Sequence, residues 1–505
     1  LTDLYRSVTG RNEPPAEVVR DGKLAVLRGP MRAELEAVVT RMAALAAQVP
    51  EWADLGRGAI REGLAQTIAS LDIYRPYADA DGISADGRAR MMAALDQMRQ
   101  RAPDLDPAVG DLLAGVLTLD LAGRHPGLRA EALEVTFRFQ QLSGPVMAKG
   151  LEDRALYRFN RLIALNEVGS HPGSFTLSVE AFHQRQRARR ETAPQNMLAT
   201  SSHDTKRGED ARMRIVTISS HTGLWQQKLE EWLDLLRDAT APVDPNEVYF
   251  FLQLLVGVWP GADADLQGLE ERIAEAMVKS IREAGVNSRW VFGNEAYETA
   301  VRNLVTHAVQ SRAFMASFAD FLNRIDADAT HASLIQTALK LTVPGVPDIY
   351  QGAEMWDRSL VDPDSRRPVD FDRSSAMLPG FVGTPVFTKT RSGAEVKLAL
   401  IRSLPHLRAA QPRLFAEGDY EPLHAEGPAA DGFLGFMRRI GTERLMFAAA
   451  LHPGSHDASA WSATRVVLPE AEGPVWANLI DGGNVDVRDP AALFQHLPLA
   501  ILQPQ

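Results

Sequence analysis

Apolar residues recur every three to four positions from residue 1 to about residue 155, the spacing that lays one stripe of an α-helix against a core. In "MRAELEAVVTRMAALAAQ" (Met31–Gln48) the stripe is Leu35, Val38, Val39, Met42 and Leu45. A similar rhythm from Met91 to Leu119 is interrupted at Pro103 and Pro107, which cannot donate a helical hydrogen bond, so it predicts pieces rather than one rod. The helical period returns between Asp204 and about Leu341. "ADLQGLEERIAEAMVKSIREAG" (Ala264–Gly285) keeps Leu266, Leu269, Ile273, Met277 and Ile281 in register, with Gly285 where a C-terminal cap belongs. Two β-like stretches stand out here, one running into "NMLATSSHDTKR" and one in "LTVPGVPDIYQG" (Leu341–Gly352). After about Phe415 the texture changes to "GFLGFMRRI", "RLMFAAAL", "TRVVLPE" and "VWANLI", short strands set between Gly, Pro and Asp turns. That pattern predicts a small antiparallel β-sandwich.

Composition narrows the class. The 505 residues suggest roughly three domains as a soft prior, and 45% hydrophobic against 24% charged residues is ample for buried cores. A formal charge of −11 argues against nucleic acid or an anionic membrane surface as partner, since both require clustered Lys and Arg. There is no cysteine, hence no disulfide, thiol nucleophile or thiolate metal site, which suits a reducing cytoplasm. Neither a signal-peptide pattern nor an apolar run long enough to span a bilayer is found. The chain opens on Leu1 rather than Met, as expected of a processed chain or a piece.

The candidate chemistry begins at Asp204. An apolar stretch that turns abruptly polar is the profile of a barrel strand's carboxyl end, where active-site residues collect. His203, Lys206 and Arg207 flank the carboxylate and are expected to keep it ionised, because nearby cations favour the charged form. The alternative is a helix N-cap, with Asp204 or Thr205 opening a helix whose first turn holds Glu209 and Asp210. "PGVPDIYQGAEMWD" (Pro344–Asp357) offers Tyr350, Glu354 and Trp356 at a Gly- and Pro-fixed strand exit, or simply a packed strand end. "SLVDPDSRRPVDF" (Ser359–Phe371) carries Asp362, Asp364, Arg366 and Arg367, a paired-charge loop in a cleft or on a surface. Upstream, Tyr74, Arg75 and Tyr77 form one polar–aromatic cluster. Lys149, Glu152, Asp153, Tyr157, Arg158, Asn160, Arg161, Asn166 and Glu167 form another. Taken singly, each of these reads as a solvated side chain. No P-loop, G-x-G-x-x-G, H-E-x-x-H or G-x-S-x-G motif occurs, so nucleotide, zinc-protease and serine-hydrolase readings lose their usual support.

Taken in order, "LDIYRPYA", "GPVMAKGLEDRALYRFNRL", "LNEVGSHP", "LATSSHDTKRGEDARMR", "KSIREAGVNSRW" and "PGVPDIYQGAEMWDRSLVDPDSRRPVDF" resemble glycoside hydrolase family 13, the α-amylase superfamily. Within it they resemble the maltooligosyl trehalose synthases, (1→4)-α-D-glucan 1-α-D-glucosylmutases. The resemblance implies an α/β fold: part of a (β/α)₈ TIM-type barrel with large helical insertions, plus a C-terminal antiparallel β-sandwich. Residues 1–155 would be a helical insertion and 156–412 the C-terminal part of the barrel, with a further helical insertion at 205–340. The sandwich would occupy 413–505.

It implies an isomerase that moves the reducing-end α-1,4 linkage of a maltooligosaccharide to an α,α-1,1 linkage, without metal or organic cofactor. A maltooligosyl trehalose trehalohydrolase would be its functional partner. Asp204 matches the superfamily's third acidic residue, and His203 would hydrogen-bond the same sugar. Lys149 matches a lysine near the acceptor glucose, and Tyr74 and Tyr350 would contact sugar. Arg366 would clamp a hydroxyl, with Lys206 and Arg207 also in the substrate site. The carboxylate nucleophile and the separate general acid of a retaining mechanism have no matching segment. "NRIDADAT" (Asn323–Thr330) has similar letters but continues a helical pattern. The chain therefore reads as the C-terminal two-thirds of such an enzyme, holding one of three catalytic carboxylates, with the nucleophile and the general acid supplied by an N-terminal segment without which it would be inactive. An α-glucan hydrolase or transglycosylase of the same superfamily, or a non-catalytic glucan-binding subunit, are the alternatives.

Overall fold

The computed structural model describes residues 1–260, 268–452, 455–469, 473 and 475–504. Leu266 and Glu470, which fall in two of the expected elements, lie outside the described residues. Among those described, no helix is long and apolar enough to cross a membrane.

The N-terminal helices form where the periodicity placed them. Arg32–Ala46 buries Leu35, Val38, Val39, Met42 and Leu45, which join residues of Arg57–Ser70, Ala85–Arg101, Pro107–Leu117 and Arg129–Met147 in one core. The break before Pro107 is a helix start: proline sits in the first turn, where no N–H is needed, and the Asp106 side chain accepts from the Ala108 N–H at 2.9 Å. Arg129–Met147 passes straight into a π-turn, Ala148–Glu152, that carries Lys149.

Beneath that turn, Lys23 of the helix Pro15–Arg28 is buried and donates to the Leu71 carbonyl at 2.5 Å. Burial disfavours its charge and lowers its pKa from 10.5 to about 8. The unfolded chain therefore binds more protons than the folded one between about pH 8 and 10.5, and stability lost below pH 8 is regained across that window. Lys23→Met is expected to stabilise the chain at pH 7 by about 2 kcal/mol, the relieved charge penalty of about 3 less the lost hydrogen bond. That advantage should fade toward pH 10. Urea midpoints at pH 7 and pH 10 check it, and a Met variant weaker at both would refute the assignment.

The second helical body is built around aromatic rings. Pro245–Val258 is buried on nearly every side, as a stretch from Val248 to Val258 that is apolar apart from Gln253 requires. Trp225, Trp232 and Phe321 pack edge-on or tilted at 5.5–5.7 Å, a geometry that suits ring quadrupoles. Both indoles keep their polar ends satisfied: Trp225 donates to the Tyr249 hydroxyl at 3.1 Å and Trp232 to Ser317 Oγ at 3.0 Å. Leu269–Ala284 ends at Gly285, whose φ of 62° and N–H to the Ile281 carbonyl are those of a left-handed cap. Arg324, Ile325 and Asp326 lie inside the 31-residue helix Arg312–Thr342, as their helical context indicated.

The two β-like stretches meet. β1 (Met197–Leu198) and β2 (Val346–Pro347) pair in parallel, Met197 opposite Val346 and Leu198 opposite Pro347. Each is only two residues long, and the β-period of "LTVPGVPDIYQG" starts late because Leu341 and Thr342 still belong to the preceding helix.

At the C-terminal end, β3 (Asp419–Glu426), β4 (Phe433–Ile440), β5 (Glu443–Ala450), β6 (Arg465–Val467), β7 (Val475–Asn478), β8 (Asn484–Asp486) and β9 (Leu499–Pro504) form an antiparallel sheet. Its order is β6-β3-β4-β5-β9-β7-β8. The expected sandwich of two layers is corrected to this one continuous sheet. The reason is β9, which inserts between β5 and β7 and joins the two halves by hydrogen bonds. Both faces are apolar, so alternation along each strand is blurred. Leu434, Phe436, Phe447 and Ile501 face the helices Arg312–Thr342 and Gly393–Ala410, whereas Met437, Met446 and Leu502 pack with Trp461 and Trp476.

Candidate active site

The residues from Ser201 to Gly208 leave β1 as a turn, not as a helix cap. The following helix, Glu209–Val216, has Gly208 at its N-cap and no capping side chain, so the N-cap reading of Asp204 and Thr205 does not hold. His203 and Asp204 are exposed at the tip, while Thr205, Lys206 and Arg207 are buried. The Asp204 N–H donates to Ser202 Oγ at 3.2 Å and Thr205 Oγ1 donates to the Ser202 carbonyl at 3.0 Å. Among the described residues, the Asp204 carboxylate is left without a hydrogen-bond or ion-pair partner. Its side chain stands at the tip of a fixed turn.

The cations expected around it are used elsewhere. Lys206, 4% exposed, pairs with Asp153 at 2.9 Å over the Tyr157 ring. Arg207, 1% exposed, donates to the carbonyls of Ile163 at 2.8 Å and Asn166 at 2.5 Å. Their expected place in the substrate site is corrected accordingly: Lys206 is ion-paired inside the protein and Arg207 is bonded to backbone carbonyls, so both buried side chains hold the base of the turn.

Other expected residues gather around the tip. Tyr74 is partly exposed and its hydroxyl donates to the Glu152 carboxylate. Its pKa is raised first by burial and then by Glu152, and Asp204 is close enough to add to the effect. Lys149 is exposed and pairs with Asp153 at 2.6 Å, which raises its pKa. Burial works to raise the Asp153 pKa, but Lys206 and Lys149 hold it below the usual carboxylate range. Arg366 places both Nε and a terminal nitrogen 3.3 Å from the His203 carbonyl, so it grips the turn itself. Tyr350 is half-buried in the turn after β2, where its carbonyl accepts from the Ala353 N–H at 2.9 Å. The Asp362–Arg367 loop is indeed paired, though mostly to another helix: Asp364 takes Arg272 at 2.5 and 2.9 Å, and Asp362 takes Lys279 at 3.1 Å. No group of three His, Asp or Glu among the described residues is placed to hold a metal ion.

A buried charge cluster that the sequence reading missed anchors the other end. Lys397, fully buried, lies 2.7 Å from Glu209 and 2.7 Å from Asp210. Glu209 is also 3.2 Å from Lys340, and Asp210 accepts from the Asp357 N–H at 2.6 Å. Burial opposes charge on Glu209, yet Lys397 and Lys340 hold its pKa down at about 2. Gly208 completes the joint: a Cβ there would come within 2.3 Å of Asp357 Oδ1, and its N–H donates to the Ser359 carbonyl at 2.8 Å. The only sequence signal was Glu209 and Asp210 at a helix start, which reads equally well as macrodipole complementation.

No family model matches the chain. A putative maltooligosyl trehalose synthase of Mycobacterium tuberculosis is 34% identical over 408 residues, covering 77% of this chain. The solved maltooligosyltrehalose synthase of Arthrobacter ramosus superposes with a TM-score of 0.81 at 31% identity, over 100% of this chain. The chain is thus similar to maltooligosyl trehalose synthases along its length. A hypothetical synthase of Sulfolobus tokodaii agrees, with a TM-score of 0.72 and 26% identity over 99% of the chain. The chain spans 50% of the curated M. tuberculosis relative and 60% of the A. ramosus protein.

Proposed function

We propose that this chain supplies the third acidic residue and the acceptor side of a maltooligosyl trehalose synthase. The reading rests on the Asp204 carboxylate, which has no hydrogen-bond or ion-pair partner among the described residues, on a braced turn that follows a parallel strand, with Tyr74 close by. In the complete enzyme a carboxylate nucleophile would attack the anomeric carbon at the reducing-end α-1,4 bond while a general acid protonates the departing glucose oxygen. Asp204 and His203 would grip hydroxyls of the sugar at the cleaved bond as it flattens toward an oxocarbenium ion. The released glucose would turn and attack through its anomeric hydroxyl, the nucleophile leaving and the proton returning to the acid's conjugate base. No water is consumed, so the product is an isomer with an α,α-1,1 terminus.

The nucleophile and acid would come from an N-terminal segment. Parallel sheets are stable when both faces are covered, yet here the parallel pair has two strands, with Met197 68% and Val346 45% exposed. A cavity of about 740 Å³ with an apolar wall of Leu198, Val216, Ile335, Leu339 and Val343 opens beside β1. Both support a (β/α)₈ barrel whose other strands lie in the portion of the synthases that this chain does not span.

Lys149 and Tyr74 would retain the glucose while it turns, a positioning task in the second half-reaction. Lys149→Ala in the assembled enzyme is expected to leave bond cleavage largely intact and to raise free glucose relative to trehalose-terminated product by about threefold or more, a shift of at least about 0.65 kcal/mol between two exits. Chromatography of the products checks it. An unchanged ratio removes Lys149 from the acceptor site.

A further inference from the structure

The turn that carries His203 and Asp204 is held from one side by a single carboxylate that no part of the proposed chemistry uses. Glu167, in the loop after Asn166, accepts from the Lys206 N–H at 2.7 Å and its own neighbour's Val168 N–H at 2.8 Å through one oxygen. The other oxygen accepts from the Arg207 N–H at 3.3 Å and from the Arg212 guanidinium at 3.0 Å. Arg212 is itself buried, and it also donates to the Arg207 carbonyl at 3.1 Å and to the Thr200 carbonyl. One ion pair thus ties the exit of β1 at Thr200, the far end of the turn at Lys206–Arg207, and the 166–170 loop. The loop is not free to follow: the Glu167 N–H donates to Ser170 Oγ at 3.0 Å, and Ser170 Oγ donates to the Leu165 carbonyl at 2.6 Å.

We propose that Glu167 is a positioning residue that sets where the His203–Asp204 tip stands, through the backbone of Lys206 and Arg207. The proposal rests on the reading of Asp204 as the residue that meets the sugar. A carboxylate is required for a physical reason: it has acceptor positions only, and the turn presents backbone donors and a guanidinium together. The same loop also reaches the Tyr74 side of the site, because the Gly169 N–H donates to Glu152 at 3.3 Å and Glu152 accepts from Tyr74. The two carboxylates divide the labour. Glu167 acts on the tip that serves bond cleavage, and Glu152 on the ring that serves the acceptor.

Glu167→Gln tests this, because an amide keeps the size but offers one acceptor and turns a donor toward donors. In the chain, hydrogen exchange of a peptide spanning Ser202–Gly208 should quicken by about tenfold or more. In the assembled enzyme acting on a maltooligosaccharide, kcat should fall by about 10–100-fold, with KM changed by less than about threefold and the product ratio unchanged. Glu152→Gln should show the opposite split, altering the product ratio more than kcat. Should Glu167→Gln fail to fold, Glu167→Asp keeps the charge, withdraws it by one methylene, and is expected to quicken exchange in the same peptide. Unchanged exchange, or wild-type kcat in Glu167→Gln beside an inactive Asp204→Asn, overturns the proposal. A fully active Asp204→Asn overturns instead the reading of the site beneath it.

Discussion

Asp204→Asn is expected to lower kcat of the assembled enzyme by at least about 100-fold, close to 2.7 kcal/mol of lost transition-state stabilisation, while leaving the chain's stability within about 0.5 kcal/mol of wild type. The two halves of that expectation have different causes. The carboxylate is exposed and makes no hydrogen bond or ion pair among the described residues, and the residue's one contact, from its N–H to Ser202 Oγ, survives the change. It caps no helix, since Gly208 occupies the N-cap. Stability therefore has little to lose. Catalysis has much to lose if the charge is needed where positive charge develops on the sugar, because an amide of the same shape keeps hydrogen bonding but not the charge. Steady-state kinetics with a urea titration of the same variant check both halves. A variant that keeps more than about a tenth of wild-type kcat, a deficit under about 1.4 kcal/mol, would take Asp204 out of the chemistry.

Lys397→Ala is expected to do the reverse, costing about 3–5 kcal/mol of stability by leaving a buried carboxylate pair short of its cation. Lys397 is the only charge between Glu209 and Asp210 at 2.7 Å from each among the described residues, and Lys340 can reach only Glu209, at 3.2 Å. The effect should be local as well as global. Asp210 holds the Asp357 N–H, and Ser201 Oγ donates to Asp357 at 2.6 Å, so the strand exit and the 355–359 loop should loosen together. Urea midpoints and hydrogen exchange at Ser201 and Asp357 measure this. A loss below about 1 kcal/mol would mean that water or a neighbouring cation replaces the ammonium, and that the cluster is not the joint described above.

What could be read beforehand was set by local rules. Leu35 to Leu45 announced a helix because the spacing of buried positions is a property of the segment alone, and Gly285 announced its helix end because only a residue tolerant of positive φ closes it there. The tip residues His203 and Asp204 were legible because an apolar stretch turned polar. Lys206 and Arg207 were misread for the complementary reason. Sequence gives their adjacency to Asp204, but not that their side chains turn inward to Asp153, Ile163 and Asn166. Lys397 lies 187 residues from Asp210, and nothing local marks a lysine that will be buried against two carboxylates. The same distance problem hid the single C-terminal sheet, whose continuity depends on β9 from the last residues entering between β5 and β7.

This chain is proposed to complete a synthase site rather than to be a site by itself. The direct measurement is to incubate a maltooligosaccharide with the chain alone, and with the chain bound to the remaining portion of a synthase relative, and to quantify reducing ends, free glucose and trehalose-terminated product. No turnover is expected from the chain alone. With the complementary portion bound, reducing ends should fall without a matching release of glucose, and Asp204→Asn should abolish the effect. Turnover by the chain alone, or a rise in reducing ends with no trehalose-terminated product from the complex, would contradict it.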